Sequence, residues 1–143
     1  MEEFQKGLQN NKKSNYFAPK STKEATEILA KYGENIKVLA GGTDLLIQYY
    51  DRLYEVGYWL DLKNIKELKK IKIHQNQMEI GAMVTHAQLE KSAEIKKYFP
   101  VLGKAAADIG SPQIRNRGTI GGNIVNASPA GDLLSPLMAY DAQ

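Results

Sequence analysis

Apolar and polar positions alternate along the chain in a way that predicts short helices joined to shorter strands. Ser21-Thr22-Lys23-Glu24 has the form of a capping box, a hydroxyl followed three residues later by Glu. Ala25, Ile28 and Leu29 then recur at helical spacing, and Gly33 is placed to end that helix. Residues 36–40 form an apolar run of strand length, which meets Gly41-Gly42-Thr43; Leu45, Leu46 and Ile47 predict a short helix after it. The order helix, strand, glycine turn, helix belongs to an α/β unit.

Residues 58–62 read as a strand, and residues 71–74 and 78–82 as a hairpin around Gln75-Asn76-Gln77. Thr85 and Gln88 repeat the capping-box pattern and predict a helix from His86. Pro100 is placed to open another, with Val101, Leu102, Ala105, Ala106 and Ile109 on its buried face and Gly110 and Pro112 to stop it. Gly118-Thr119-Ile120-Gly121-Gly122-Asn123 reads as a second glycine turn, and Asp132 as the cap of a last helix through Tyr140.

Composition narrows the function classes. The chain has 143 residues, 43% hydrophobic and 24% charged, which fits one globular domain or two small subdomains. Its 19 Lys and Arg against 16 Asp and Glu leave a net charge of +3, too mild for a dedicated nucleic-acid binder. Cysteine is absent, which excludes disulfides, thiolate metal sites, a cysteine nucleophile and any cysteine-ligated iron–sulfur cluster on this chain. The polar, acidic start lacks a secretory pattern, and no apolar run has the length of a membrane span. These features predict a cytoplasmic chain with no nucleic-acid or membrane partner, and residues 1–15 as a solvated polar tail.

The candidate chemistry lies in the two glycine segments. Glycine pairs open backbone angles closed to other residues and clear side chains away, so that a ligand can touch main-chain N–H groups directly. Successive N–H groups aimed at one point make an anion nest, and a helix starting just beyond adds its positive end. The hydroxyls of Thr43 and Thr119 would add donors. A diphosphate, with its many acceptor oxygens, suits such a place. Each pair alone also fits an ordinary tight turn, and neither is a GxGxxG fingerprint or a Walker loop.

Three ordered motifs go further. Val38-Leu39-Ala40-Gly41-Gly42-Thr43-Asp44-Leu45-Leu46, then Gln113-Ile114-Arg115-Asn116-Arg117-Gly118-Thr119-Ile120-Gly121-Gly122-Asn123-Ile124, then Asn126-Ala127-Ser128-Pro129-Ala130-Gly131-Asp132 resemble the FAD-binding subunit of molybdenum hydroxylases, the group of xanthine dehydrogenase and carbon monoxide dehydrogenase flavoproteins. The resemblance runs from about residue 16 to the end. It implies an α+β, two-lobed FAD fold of the PCMH type, shared with the vanillyl-alcohol oxidase group. A small α/β lobe would span 16–57. A truncated lobe of mixed and antiparallel sheet would span 58–143, incomplete at its C-terminal end, since such subunits are about twice this long.

On this resemblance Val38, Leu39, Ala40, Gly41, Gly42, Thr43, Asp44 and Leu45 would wrap the FAD diphosphate. Thr119, Ile120, Gly121, Gly122 and Asn123 would close on it from the other lobe. Asp132 matches an acidic position near the FAD and Ile109 a position that lines it. The resemblance also implies partners: a molybdopterin-binding large subunit and an iron–sulfur small subunit, with electrons passing from substrate through the clusters to FAD and on to NAD. No catalytic side chain and no metal ligand is expected here, because the cofactor carries the redox chemistry. Two other readings stay open: a non-catalytic assembly module of such a complex, and a stand-alone domain that binds a nucleotide diphosphate.

Other residues receive plainer readings. Arg115 and Arg117 could clamp a diphosphate, but positioning of the preceding turn or a subunit contact accounts for them more simply. His74 and His86 have no second ligand nearby and read as surface or cap residues. Trp59 and the tyrosines at 49, 50, 54 and 58 read as core or edge packing. Lys66, Lys69, Lys70 and Lys72 read as a solvated face, with an acidic docking partner as the sharper alternative. Asn126-Ala127-Ser128 matches a glycosylation sequon, discounted in a cytosolic chain with Pro129 next to it.

Overall fold

The computed structural model describes residues 15–51, 56–129 and 131–143. Apart from Asn15, the expected polar tail lies outside the described residues, and so does Tyr54. The first part of the chain is built on strand β1 (Asn15–Phe17), helix α1 (Thr22–Tyr32), strand β2 (Ile36–Leu39), helix α2 (Leu45–Tyr50) and strand β3 (Tyr58–Asp61). The three strands form one parallel sheet in the order β1-β3-β2.

Local chemistry sets the ends of α1. Ser21 Oγ accepts from the Glu24 N–H, while the Glu24 carboxylate reaches past the cap to accept from the Lys20 N–H. Gly33, at φ +51°, closes the helix, and its N–H donates to the Leu29 carbonyl. The apolar face of α1 then packs on the sheet through Ala25, with Ile36, Leu60 and Ile65 buried beside it. Because β3 is hydrogen-bonded on both edges, Trp59, Leu60 and Asp61 are all buried. This strand pairs with β1 on one edge and with β2 on the other, so residues 58–61 hold the first sheet together.

Asp61 ends β3 as a buried carboxylate held by three donors: the Tyr16 hydroxyl, the Lys63 N–H and Lys63 Nζ. Burial pushes its pKa up, but these donors outweigh burial and hold it below the ordinary aspartate value. The same hydrogen bond to Asp61 pushes the Tyr16 phenol up to about 12.

The rest of the chain is mostly helical. Strands β4 (Ile71–Ile73) and β5 (Met78–Ile80) form the expected antiparallel hairpin. Helices α3 (His86–Lys91), α4 (Ala93–Tyr98), α5 (Pro100–Asp108), α6 (Pro112–Arg115), α7 (Ile120–Asn126) and α8 (Leu134–Ala139) follow. Among the described residues, the sheet in this part is the one two-stranded antiparallel ribbon, β4-β5. The core of this part is Leu89, Ile95, Leu102, Ala106, Ile120 and Leu133, drawn from or beside the helices. Gly103 lets α5 approach closely, since a Cβ there would stand 3.3 Å from Ile95 Cγ2.

Several local expectations change. Helices α4 and α6 are additional elements, capped by Ser92 and Ser111. Pro112 therefore opens a helix, as its fixed φ and missing N–H favour at a first position. Val101 is 57% exposed, so the buried face of α5 rests on Leu102 and Ala106. Asp132 does not cap the last helix; Leu133 occupies that position, with no side-chain cap. Trp59 is core, with Tyr49 edge-on at 5.1 Å, whereas Tyr50 is exposed.

Candidate functional site

The two glycine segments, far apart in the chain, meet in space. A Cβ on Gly41 would collide with the Arg117 carbonyl oxygen and stand 2.9 Å from Gly118 Cα. A Cβ on Gly122 would lie 3.9 Å from that of Ala40. At Gly41 and Gly118 main chain meets main chain, because neither residue carries a side chain.

The segments are not alike. The first is a turn between β2 and α2. Gly42 has φ +77°, a conformation that disfavours any residue with a Cβ. Among the described residues, no acceptor takes the N–H of Gly42, Thr43 or Asp44. Three successive amides without a protein acceptor at one turn are the kind of donors an anion nest uses. Beneath it, Leu39 is buried with Trp59 and Val56, and Leu45 and Leu46 pack against them. Val38 is largely exposed on β2. Asp44 precedes α2 without capping it, its carboxylate instead accepting a hydrogen bond from the Thr43 hydroxyl.

The second segment is the first turn of a helix. Gly121 and Gly122 lie inside α7, which Thr119 caps by accepting from the Gly122 N–H at 3.1 Å. The N–H of Ile120 donates to Val84 O, that of Gly121 to Ala82 O, and that of Asn123 to Thr119 O. These amides are spent, so the expectation of a second open nest is corrected. Gly121 is required for close approach: a Cβ would stand 2.7 Å from Ala82 O. What this side offers is Asn123, whose Oδ1 is buried without a partner, and the Thr119 hydroxyl, 3% exposed.

His86 is the residue the sequence reading missed. It is 3% exposed, neither surface nor cap, and its ring fills the space beside Gly118. The His86 backbone N–H donates to Gly118 O, pairing the start of α3 with the second segment next to a Thr85–Thr119 bridge. Nδ1 is buried and unpartnered. Burial pulls the imidazole below the ordinary histidine value, opposed by the carboxylates of Asp44 and Asp132. Asp132 is itself exposed, and its charge bears on the ring. The one sequence signal for His86 was its place at the first position of a capped helix, which says nothing of burial.

Of the remaining predicted residues, Ile109 packs against the helical core, and its carbonyl accepts from Arg115 Nη1. Arg115 also donates to Gly110 O and pairs with Glu90 at 3.0 Å, which agrees with a turn-positioning role. Arg117 contributes its carbonyl to the crossing with Gly41. His74 is exposed, 3.6 Å from Glu79. Among the described residues, no helix is long and apolar enough to cross a membrane.

Comparison with known proteins follows the same lines. The chain is 43% identical over 128 residues to the nicotinate dehydrogenase FAD-subunit of Eubacterium barkeri, covering 89% of this chain and 43% of that protein. It is 34% identical to the xanthine dehydrogenase FAD-binding subunit of Escherichia coli O157:H7, covering 91% and 44%. Among solved structures, a carbon monoxide dehydrogenase from Hydrogenophaga pseudoflava lacking the Mo-pyranopterin moiety superposes with a TM-score of 0.79 at 39% identity, over 80% of this chain and 40% of that one. The chain thus spans less than half the length of these relatives. Residues 10–143 match the family described as FAD binding domain in molybdopterin dehydrogenase. With nearly the whole chain inside that match, the protein belongs to the FAD-binding domains of molybdopterin dehydrogenases, whose cofactor is FAD.

Proposed function

We propose that this chain supplies the diphosphate-binding part of the flavin site in a molybdenum-hydroxylase-type dehydrogenase complex. The observation that carries the reading is the apposition of the two glycine segments, with three free amides on one side and a buried, unpartnered Asn123 Oδ1 on the other. Those groups fit FAD. The amides of Gly42, Thr43 and Asp44 would donate to diphosphate oxygens. Asn123 Oδ1 would accept from a hydroxyl or N–H of the nucleotide. Thr119 would hold the start of α7 in register, and the floor of Leu39, Leu45 and Leu46 would keep water from beneath the turn. Ala40, Gly41, Ile120, Gly121 and Gly122 would set the spacing of the two walls, with Val38, Ile109 and Asp132 at the margins.

When bound, FAD supplies a redox centre that exchanges electrons with partners, while the protein binds and orients it. The reading extends to a two-lobed PCMH-type fold, to a molybdopterin-binding large subunit and an iron–sulfur small subunit as partners, to NAD as acceptor, and to the cytoplasm. The absence of cysteine supports the division of labour, since cysteine-held clusters would sit on another chain. Reconstitution with FAD tests the site. The chain should retain a bound flavin spectrum through gel filtration, and Gly42→Asp, which sets a carboxylate against the diphosphate, should abolish it. Failure of the unaltered chain to retain FAD, alone or with the remainder of a relative's flavin subunit added, would overturn the assignment.

A further inference from the structure

The buried histidine has no part in the reading above. Its surroundings are specific. A Cβ on Gly118 would stand 2.7 Å from His86 Cδ2 and 2.9 Å from Nε2, and Gly118 Cα is itself 2.9 Å from where a Gly41 Cβ would be. Only the backbone of one glycine therefore separates the imidazole from the turn that carries the free amides. The charged groups facing it come from two directions: Asp44, at the nest itself, and Asp132, from the segment before α8. On its own helix, Glu90 is engaged by Arg115. Negative charge at the nest is thus already felt at the ring, through a medium that screens poorly.

We propose that His86 is a positioning residue that answers the charge in the cradle: entry of an anionic dinucleotide at Gly42, Thr43 and Asp44 draws one proton from the buffer onto the imidazole. The inference rests on the flavin-site reading and adds a regulation to it. Without a dinucleotide, burial disfavours the charged form of the ring. A bound diphosphate adds negative charge beside Asp44 and Asp132 and stabilises the imidazolium. By linkage, affinity then rises as pH falls through the histidine range, by up to about tenfold per pH unit. The imidazolium in turn holds Gly118 and the start of α7 against the occupied nest.

Calorimetry of FAD binding in buffers of different ionisation enthalpy, between about pH 5.5 and 7.5, reads the proton uptake directly. The diphosphate diester of FAD has no group that titrates in that window. Uptake approaching one proton is expected for the unaltered chain and for His74→Gln, which removes the exposed histidine, and none for His86→Gln. The imidazole signal of His86, followed by NMR in the unaltered protein, gives a readout independent of whether that variant folds. Its titration midpoint should move upward with FAD, and also with ADP-ribose, a second diphosphate diester. FAD binding with no proton uptake and no movement of the His86 midpoint overturns this inference and leaves the flavin-site reading standing. Uptake that persists in His86→Gln overturns it as well. No binding of FAD at all overturns both.

Discussion

The two glycine pairs carry the same dipeptide and work by different physics. At Gly41-Gly42 the backbone turns through a positive φ and leaves three amides without acceptors among the described residues. At Gly121-Gly122 it stays helical and every amide from Ile120 to Asn123 is taken within the protein. One pair shapes a binding surface; the other lets a helix start pack against main chain. A glycine pair in a sequence is therefore two alternative statements, a turn that needs unusual angles or a crossing that needs no Cβ. Only the neighbours in space decide between them.

Substitutions at the crossing should erase the difference between the pairs. Gly41→Ala and Gly121→Ala each drive a Cβ into a carbonyl oxygen, of Arg117 and Ala82 respectively, and neither backbone can yield cheaply. Both should lose about 3 kcal/mol of stability in urea unfolding. Gly81→Ala, which meets the Leu68 carbonyl in the hairpin region, should destabilise similarly yet leave FAD affinity of the folded protein unchanged.

Alanine at the second glycine of each pair should separate them. Gly42→Ala places a Cβ at φ +77° and within 3.0 Å of the Leu39 and Leu46 side chains, for a loss of about 1–2 kcal/mol and weaker FAD binding. Gly122→Ala sits in a helix and crowds only the Thr119 hydroxyl at 3.0 Å. The gain in helix propensity offsets that crowding, so its thermal midpoint should stay near that of the unaltered chain.

The caps give a finer contrast. Thr119→Ala removes the acceptor for Gly122 and should cost about 1 kcal/mol. Asp44→Ala removes no cap and should change stability by under about 0.5 kcal/mol, even though Asp44 borders the nest. Equal effects from the two would break the comparison.

The smallest effect is the pH dependence of His86. The folded state holds this imidazole below its ordinary value, so between the folded and unfolded values the unfolded chain binds the extra proton. Stability is full above about pH 6.5 and declines as pH falls through the folded value. Melting followed from pH 7.5 to 5.5 should show a falling midpoint that His86→Phe flattens, at roughly constant buffer ionic strength.

The legible helix starts share one property: their capping hydrogen bonds close within three or four residues. Ser21 with Glu24, and Thr85 with Gln88, announced two helices because both partners lie in the same short string. The Ser92 and Ser111 caps were equally local, and the second was obscured by reading Pro112 as a stop when at a first position it is a start. Val101 followed the apolar pattern but lies outside the helix packing, since periodicity names a stripe and not its partner.

The sequence by itself determined where α1, α3 and α5 begin, where the hairpin turns, and, through ordered motifs, which family the chain resembles. These depend on side chains meeting their own neighbouring backbone. Tertiary structure alone decided that β3 lies between β1 and β2, that Gly41 rests on Arg117 and Gly118, that the Gly121 amide is spent on Ala82, and that His86 is sealed beneath the crossing. Each of those is a meeting of residues distant in the chain. Such meetings are fixed by which apolar faces cover one another and which backbones approach without a Cβ between them, and a linear pattern carries neither.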